Sequence, residues 1–410
     1  MFPAVAAARY NFAMMPLDPP PTTVMPPNGH PAARAALCAA IADAGGAITF
    51  ARFMEIALYH PEGGYYRAVQ ARPGRAGDFL TAPEAHPFFG RALARQVAEC
   101  WERLDRPDPL IVREYGAGTG ALAYDILTGL AEDAPQAFAA TRYRLIETNP
   151  HRGPEALTAL AEVGFGDRVA LETPAAAAEP TVGVALANEV ADALPVHRLI
   201  WREGEPRERW VALESDHFVE REGPLSPEMT AFDPAAYLAR HGVLPDEGAA
   251  IDISPAAAAW FGGVVRGLAR GYAIIIDYGY EAAELYRGHR LAGTVRAYRN
   301  HTVTDDPFAA PGQEDLTAHV DFTLLREAAA AAGGRVAGFT TQGALLAGLG
   351  LGDLLVRLGQ DPQASPADYY AAQAAILRLV DPGGMGRFGA LIVARGAPVA
   401  PPLRAFSVRL

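Results

Sequence analysis

Cysteine is almost absent from this chain: Cys38 and Cys100 are the only two among 410 residues. They stand far apart and form no Cys-x-x-Cys pair, which excludes a disulfide framework and a cysteine-based zinc site. A reducing compartment is then the default. Lysine is missing altogether beside arginine, while alanine and glycine abound, a bias that a GC-rich coding sequence produces without any functional cause. No basic block interrupts a net charge of −12. A nucleic-acid partner is therefore not expected, since a phosphate backbone asks for clustered positive charge. No apolar run reaches the roughly 20 residues of a membrane span. The histidines are scattered without metal-ligand spacing, so no metal is expected. Residues 1–31 mix Ala, Met and Pro without a positive segment leading into an apolar one. They read as a disordered leader, not a signal peptide.

Half of the residues are hydrophobic and a fifth are charged, the profile of a globular protein with a large core. Periodicity gives helices over 32–45, 50–59 and 88–104, with a turn-rich segment over 60–87. From residue 110 strands and helices alternate as in a parallel α/β sheet. The expected strands cover 110–114, 143–147, 169–171, 182–187, 272–277, 335–340 and 389–394. Helices are expected over 121–130, 155–163, 256–268 and 322–332. The chain thus divides into an N-terminal helical region, 32–109, a core, 110–396, and a tail, 397–410. Three insertions break the alternation: 198–250, opening with an antiparallel meander, 280–318, and a mainly helical 342–386. Insertions beyond the carboxyl ends of strands commonly build substrate sites.

Gly116, Gly118 and Gly120 lie directly between a strand and a helix. Such a loop lets backbone approach a ligand and aims amides at it from a helix N-terminus, so a nucleotide-containing cofactor is expected. Gly116-x-Gly118-x-x-Ala121 also satisfies the relaxed dinucleotide fingerprint. Against that, Glu114 precedes a Gly-x-Gly-x-Gly spacing, the pattern of adenosylmethionine enzymes. In either case Glu147, closing the second strand, would hold the ribose hydroxyls.

Further motifs follow in a set order: Gly63-Gly64-Tyr65-Tyr66, Gly77 to Glu84 (GDFLTAPE), the Glu114–Gly120 loop, Asn188 to Val196 (NEVADALPV), Asp277-Tyr278-Gly279, and Asp315 to Phe322 (DLTAHVDF). Together, over about residues 32–395, they closely resemble the MidA family of S-adenosylmethionine-dependent methyltransferases. The resemblance implies a Rossmann-like, seven-stranded class I core and S-adenosyl-L-methionine as cofactor. It also implies methylation of a protein arginine, as on a subunit of respiratory complex I or its bacterial counterpart. The location would be the bacterial cytoplasm, or the mitochondrial matrix in a eukaryote. A small-molecule acceptor, and a non-catalytic assembly factor that retains the cofactor, stay open as alternatives.

On this basis Asp78, Glu114, Gly116, Gly118, Gly120, Glu147 and Asn188 are the expected cofactor contacts. Glu189, Glu84 and Asp192 are the expected acceptor-site carboxylates, because a carboxylate at a strand's carboxyl end is poorly explained by packing. Fold-level analogy with unrelated arginine methyltransferases puts a guanidinium-gripping glutamate near Glu189. Asp315 and Thr317 are expected as N-caps of the following helix, and His319 near a site. The family's usual pattern is broken at Ala85 and His86 and at Thr148 and Asn149. His86 is expected to bear on what enters beside the cofactor.

Overall fold

The computed structural model describes residues 28–68, 81–287, 292–299 and 302–408. The expected leader lies outside the described residues as far as residue 27, and so do Asp78 and most of its loop. The end of the leader differs from expectation. Helix Pro31–Asp43 begins inside it, capped by the His30 side chain, while the His30 N–H donates to Pro311 O at 2.8 Å. Proline at the first helical position needs no N–H partner, so a proline-rich stretch runs straight into the helix.

Seven strands form the central sheet: β1 (Leu110–Tyr115), β2 (Thr141–Ile146), β3 (Val169–Leu171), β4 (Thr181–Asn188), β5 (Leu268–Asp277), β6 (Arg335–Thr341) and β7 (Gly389–Arg395). Their spatial order is β3-β2-β1-β4-β5-β7-β6. The first five run parallel, and β7 is antiparallel to both of its neighbours. Helices cover both faces, which explains apolar runs such as Ile274-Ile275-Ile276 without polar alternation. Ile274 and Ile276 pack with helices Phe88–Arg103 and Ala121–Asp133; Ala273 and Ile275 pack with Pro255–Arg266 and Phe322–Ala331. Strand order reverses at β1, which lies between β2 and β4, so Glu114, Glu147 and Asn188 emerge along one carboxyl edge.

A second, antiparallel sheet holds the expected meander, His197–Arg202, Glu205–Glu214 and His217–Gly223. Ala250–Ile253 and the N-terminal strand Ala47–Thr49 complete its five strands. Helix Phe50–Tyr59 is locked onto this sheet by Phe53, whose ring meets Phe218 and Phe308 edge-on at 5.5 and 5.1 Å. Burying such a ring stabilises by roughly 1.5–3 kcal/mol. The docking carries the turn Tyr65–Arg67 to the carboxyl edge of the central sheet. Residues 296–317 add a small three-stranded sheet, and 342–380 fold into three helices. Among the described residues no helix is long and apolar enough to cross a membrane.

Candidate active site

The glycine loop follows from the end of β1. Gly116 donates its N–H to Ile146 O at 2.9 Å, extending the strand pairing, and then turns with φ 70°. Gly118 and Gly120 also hold positive φ, 53° and 79°, where side chains are disfavoured. The three differ in what a side chain would meet. A Cβ on Gly116 would come within 2.8 Å of Val190 Cγ2, and one on Gly120 within 3.1 Å of Ala156 Cβ. A Cβ on Gly118 would meet only Gly116 O at 3.9 Å, so Gly118 forms open floor.

That floor belongs to a cleft that opens to solvent. Its lining joins the loop residues Gly116–Thr119 to Glu114, Glu147, Asn188, Glu189 and Glu84. Of the expected site residues, these are brought together, while Gly120 serves the packing of the helix behind the loop. Asp192 is not brought in. It is 5% exposed in the turn after Glu189, outside the cleft lining, because its backbone N–H is drawn toward Asp277.

Glu114 is 3% exposed and accepts the Tyr143 hydroxyl at 2.7 Å. Burial pushes its carboxyl up to about 8 against that hydrogen bond. Glu147 Oε2 accepts the Gly118 N–H and Oε1 the Asn149 N–H, both at 2.8 Å. Oε1 also accepts the Thr148 hydroxyl at 3.5 Å, so Oε2 is the oxygen that keeps a lone pair for a ligand hydroxyl. Asn188 donates through Nδ2 to Glu189 Oε1 at 2.9 Å, while its buried Oδ1 has no donor among the described residues. That orphaned acceptor, the acid Glu114 and the bare Gly118 floor fit a ligand with an ammonium group and a ribose.

Glu189 stands just past β4 with φ 53°. Asp277 fixes this turn, its Oδ2 accepting the N–H groups of Val190, Ala191 and Asp192 at 3.1, 2.9 and 3.3 Å. The Ala82 N–H donates to Glu189 Oε1 at 3.1 Å, tying helix Ala82–Ala85, which carries Glu84, to the strand end. Burial raises Glu189 to about 6, and burial with the nearby Glu189 charge raises Asp277 to about 7. Burial, then Asp277, Asp315 and Glu189, lift Asp192 well above the usual carboxylate range.

Several expectations are corrected. His86 does not line the cleft; its Nδ1 accepts the Phe88 N–H at 3.2 Å at the head of helix Phe88–Arg103. Asp315 is no helix cap but a buried strand residue that accepts the Tyr66 hydroxyl at 2.7 Å. Asp321, six residues on, caps helix Phe322–Ala331. His319 packs against Tyr278 and Tyr280, outside the cleft. Sequence reading missed Tyr59, Tyr66 and Arg152 as cleft residues. Tyr66 had a signal in the Gly63–Tyr66 motif; Tyr59 and Arg152 had none.

Residues 92–340 match the family model described as an S-adenosyl-L-methionine-dependent methyltransferase. A crystal structure of a superfamily member from Burkholderia thailandensis, bound to S-adenosyl-homocysteine, is 34% identical. It superposes with a TM-score of 0.81 over 92% of this chain and 94% of that one. The mitochondrial protein arginine methyltransferase NDUFAF7 of Mus musculus is 28% identical, over 83% of this chain and 79% of its own. Its Drosophila melanogaster homolog is 29% identical, over 69% and 67%. With its glycine loop, acidic strand ends and nearly full-length relatives, the chain belongs to the MidA family of S-adenosyl-L-methionine-dependent methyltransferases.

Proposed function

We propose that this methyltransferase modifies an arginine side chain of a protein, such as a complex I subunit or its bacterial counterpart. The observation that carries the reading is Glu189: a half-buried carboxylate in a left-handed turn, lining the cofactor cleft, with no ion-pair partner among the described residues. The name of the NDUFAF7 relatives supports the acceptor class.

In this reading Glu147 receives the ribose hydroxyls, Glu114 and Asn188 receive the amino-acid end, and Gly116, Gly118 and Gly120 make room. Asp78 joins them on the strength of the family resemblance. When bound, S-adenosylmethionine supplies an electrophilic methyl group on a sulfonium. Glu189 and Glu84 hold the guanidinium so that one nitrogen lies in line with that methyl. The new N–C bond forms as the C–S bond breaks, the sulfonium becomes a neutral thioether, and the released proton passes to a Glu189 oxygen.

Paired calorimetry and methyl-transfer assays with labelled cofactor test this. Glu189→Gln keeps shape but loses charge, so activity falls by about two orders of magnitude. Cofactor affinity stays within a few-fold, under about 1 kcal/mol. Full activity, or joint loss of cofactor and activity, contradicts the role. Label on a small molecule points to the alternative acceptor, and no transfer at all to a non-catalytic assembly factor.

A further inference from the structure

Arg152 is the one basic side chain among the described residues that line the cleft; Glu84, Glu114, Glu147 and Glu189 are its acids. It opens helix Arg152–Glu162, which begins directly after the Glu147 turn. Asn149 fixes its backbone: Oδ1 accepts the N–H groups of His151 and Arg152 at 2.9 and 3.2 Å. The Asn149 Nδ2 in turn donates to Ala68 O at 3.1 Å, and Arg67 donates to Thr148 O. The start of the helix is thus tied to the Tyr65–Arg67 turn across the cleft.

The Arg152 guanidinium itself makes no hydrogen bond or ion pair with any described residue. That is costly for a group with five N–H donors that is largely withdrawn from water. Burial lowers its pKa, and the charges that offset this are Glu147 first, then Tyr65, Glu84 and Tyr66. Asn149, whose Oδ1 holds the Arg152 N–H, also donates its own N–H to Glu147 Oε1 at 2.8 Å, so the helix that carries Arg152 enters the cleft from beside Glu147.

We infer that Arg152 lays its guanidinium plane against the adenosine half of the cofactor. The inference rests on the reading of Glu147 as the ribose partner. A flat cation suits a purine face, as arginine planes do against nucleic-acid bases. The carboxylate of the amino-acid end is the competing partner; the start of the Arg152 helix beside Glu147, the ribose partner in this reading, favours the adenosine half.

Titration calorimetry of the full chain with two probes separates these partners. S-adenosylhomocysteine carries both halves, whereas methylthioadenosine keeps the adenosine and lacks the amino-acid end. Arg152→Met weakens both probes by the same factor, about five-fold. Arg152→Lys, which keeps charge but not the plane, weakens both as well. Weakening of S-adenosylhomocysteine alone assigns the guanidinium to the carboxylate and overturns the inference; unchanged affinity for both overturns it too. Glu147→Ala is the separate control on the ribose reading. If it weakens both probes while Arg152→Met weakens neither, the ribose reading stands and this inference falls. If Glu147→Ala weakens neither, the ribose reading fails by itself. Equal melting temperatures of the ligand-free proteins show that the fold is intact.

Discussion

At the scale of single residues, Glu189 combines two costs that packing alone does not require. Its backbone holds φ 53°, a region that non-glycine residues seldom occupy. Its carboxyl is raised to about 6 by burial, eased by N–H donors from Ala82 and Asn188. The sign of the pH effect follows. Below about pH 6 Glu189 is neutral and cannot hold a cation; above it the charge is present. The folded pKa lies above the ordinary carboxyl value of 4.5, so ionisation in the folded state costs stability as pH rises between those values. Methyl transfer by the wild type is expected to fall about tenfold per pH unit below about 6 and to level off above it. Glu189→Gln removes that limb. A wild-type kcat/KM profile flat from about pH 5 to 7.5 contradicts the assignment.

At the scale of elements, the strand–loop–helix unit around Gly118 is the most exposed to test. Gly118 has open cleft above it and a positive φ, so Gly118→Val fills ligand space and strains the turn. Affinity for S-adenosylhomocysteine is expected to fall beyond detection in calorimetry; retained binding would place the ligand elsewhere. This unit was legible in the sequence because buried parallel strands are written as apolar runs and tight turns as glycine. Shorter elements were not. Ala47–Thr49 and Ala250–Ile253 are too short to show a period, and they become strands only by pairing with the meander. Helix Pro135–Ala140 likewise escapes, being little more than one turn. Caps went astray for a related reason: several residues in Asp315–Asp321 suit the role, and only tertiary position selects Asp321.

At the scale of the whole molecule, the site is assembled from distant parts of the chain. Strand ends supply Glu114, Glu147 and Glu189, while the docked N-terminal region brings Tyr59, Tyr66 and Glu84. The central sheet could be read in advance because apolar strands alternating with helices mark a parallel sheet, whose carboxyl edge is where ligands bind. How the N-terminal helices settle on the second sheet could not, since Phe53 finds Phe218 and Phe308 through long-range packing. For the same reason Asp192, close to Glu189 in sequence, turned out buried behind the cleft, and Arg152 turned out to line it. The central claim is that this assembled cleft delivers a methyl group to a guanidinium. The most direct test gives the full chain methyl-labelled S-adenosylmethionine with lysate protein, then identifies the labelled residue by mass spectrometry after hydrolysis. The account predicts label in methylarginine, nearly lost with Glu189→Gln. Label confined to another amino acid or to a small molecule, or none at all, would contradict it.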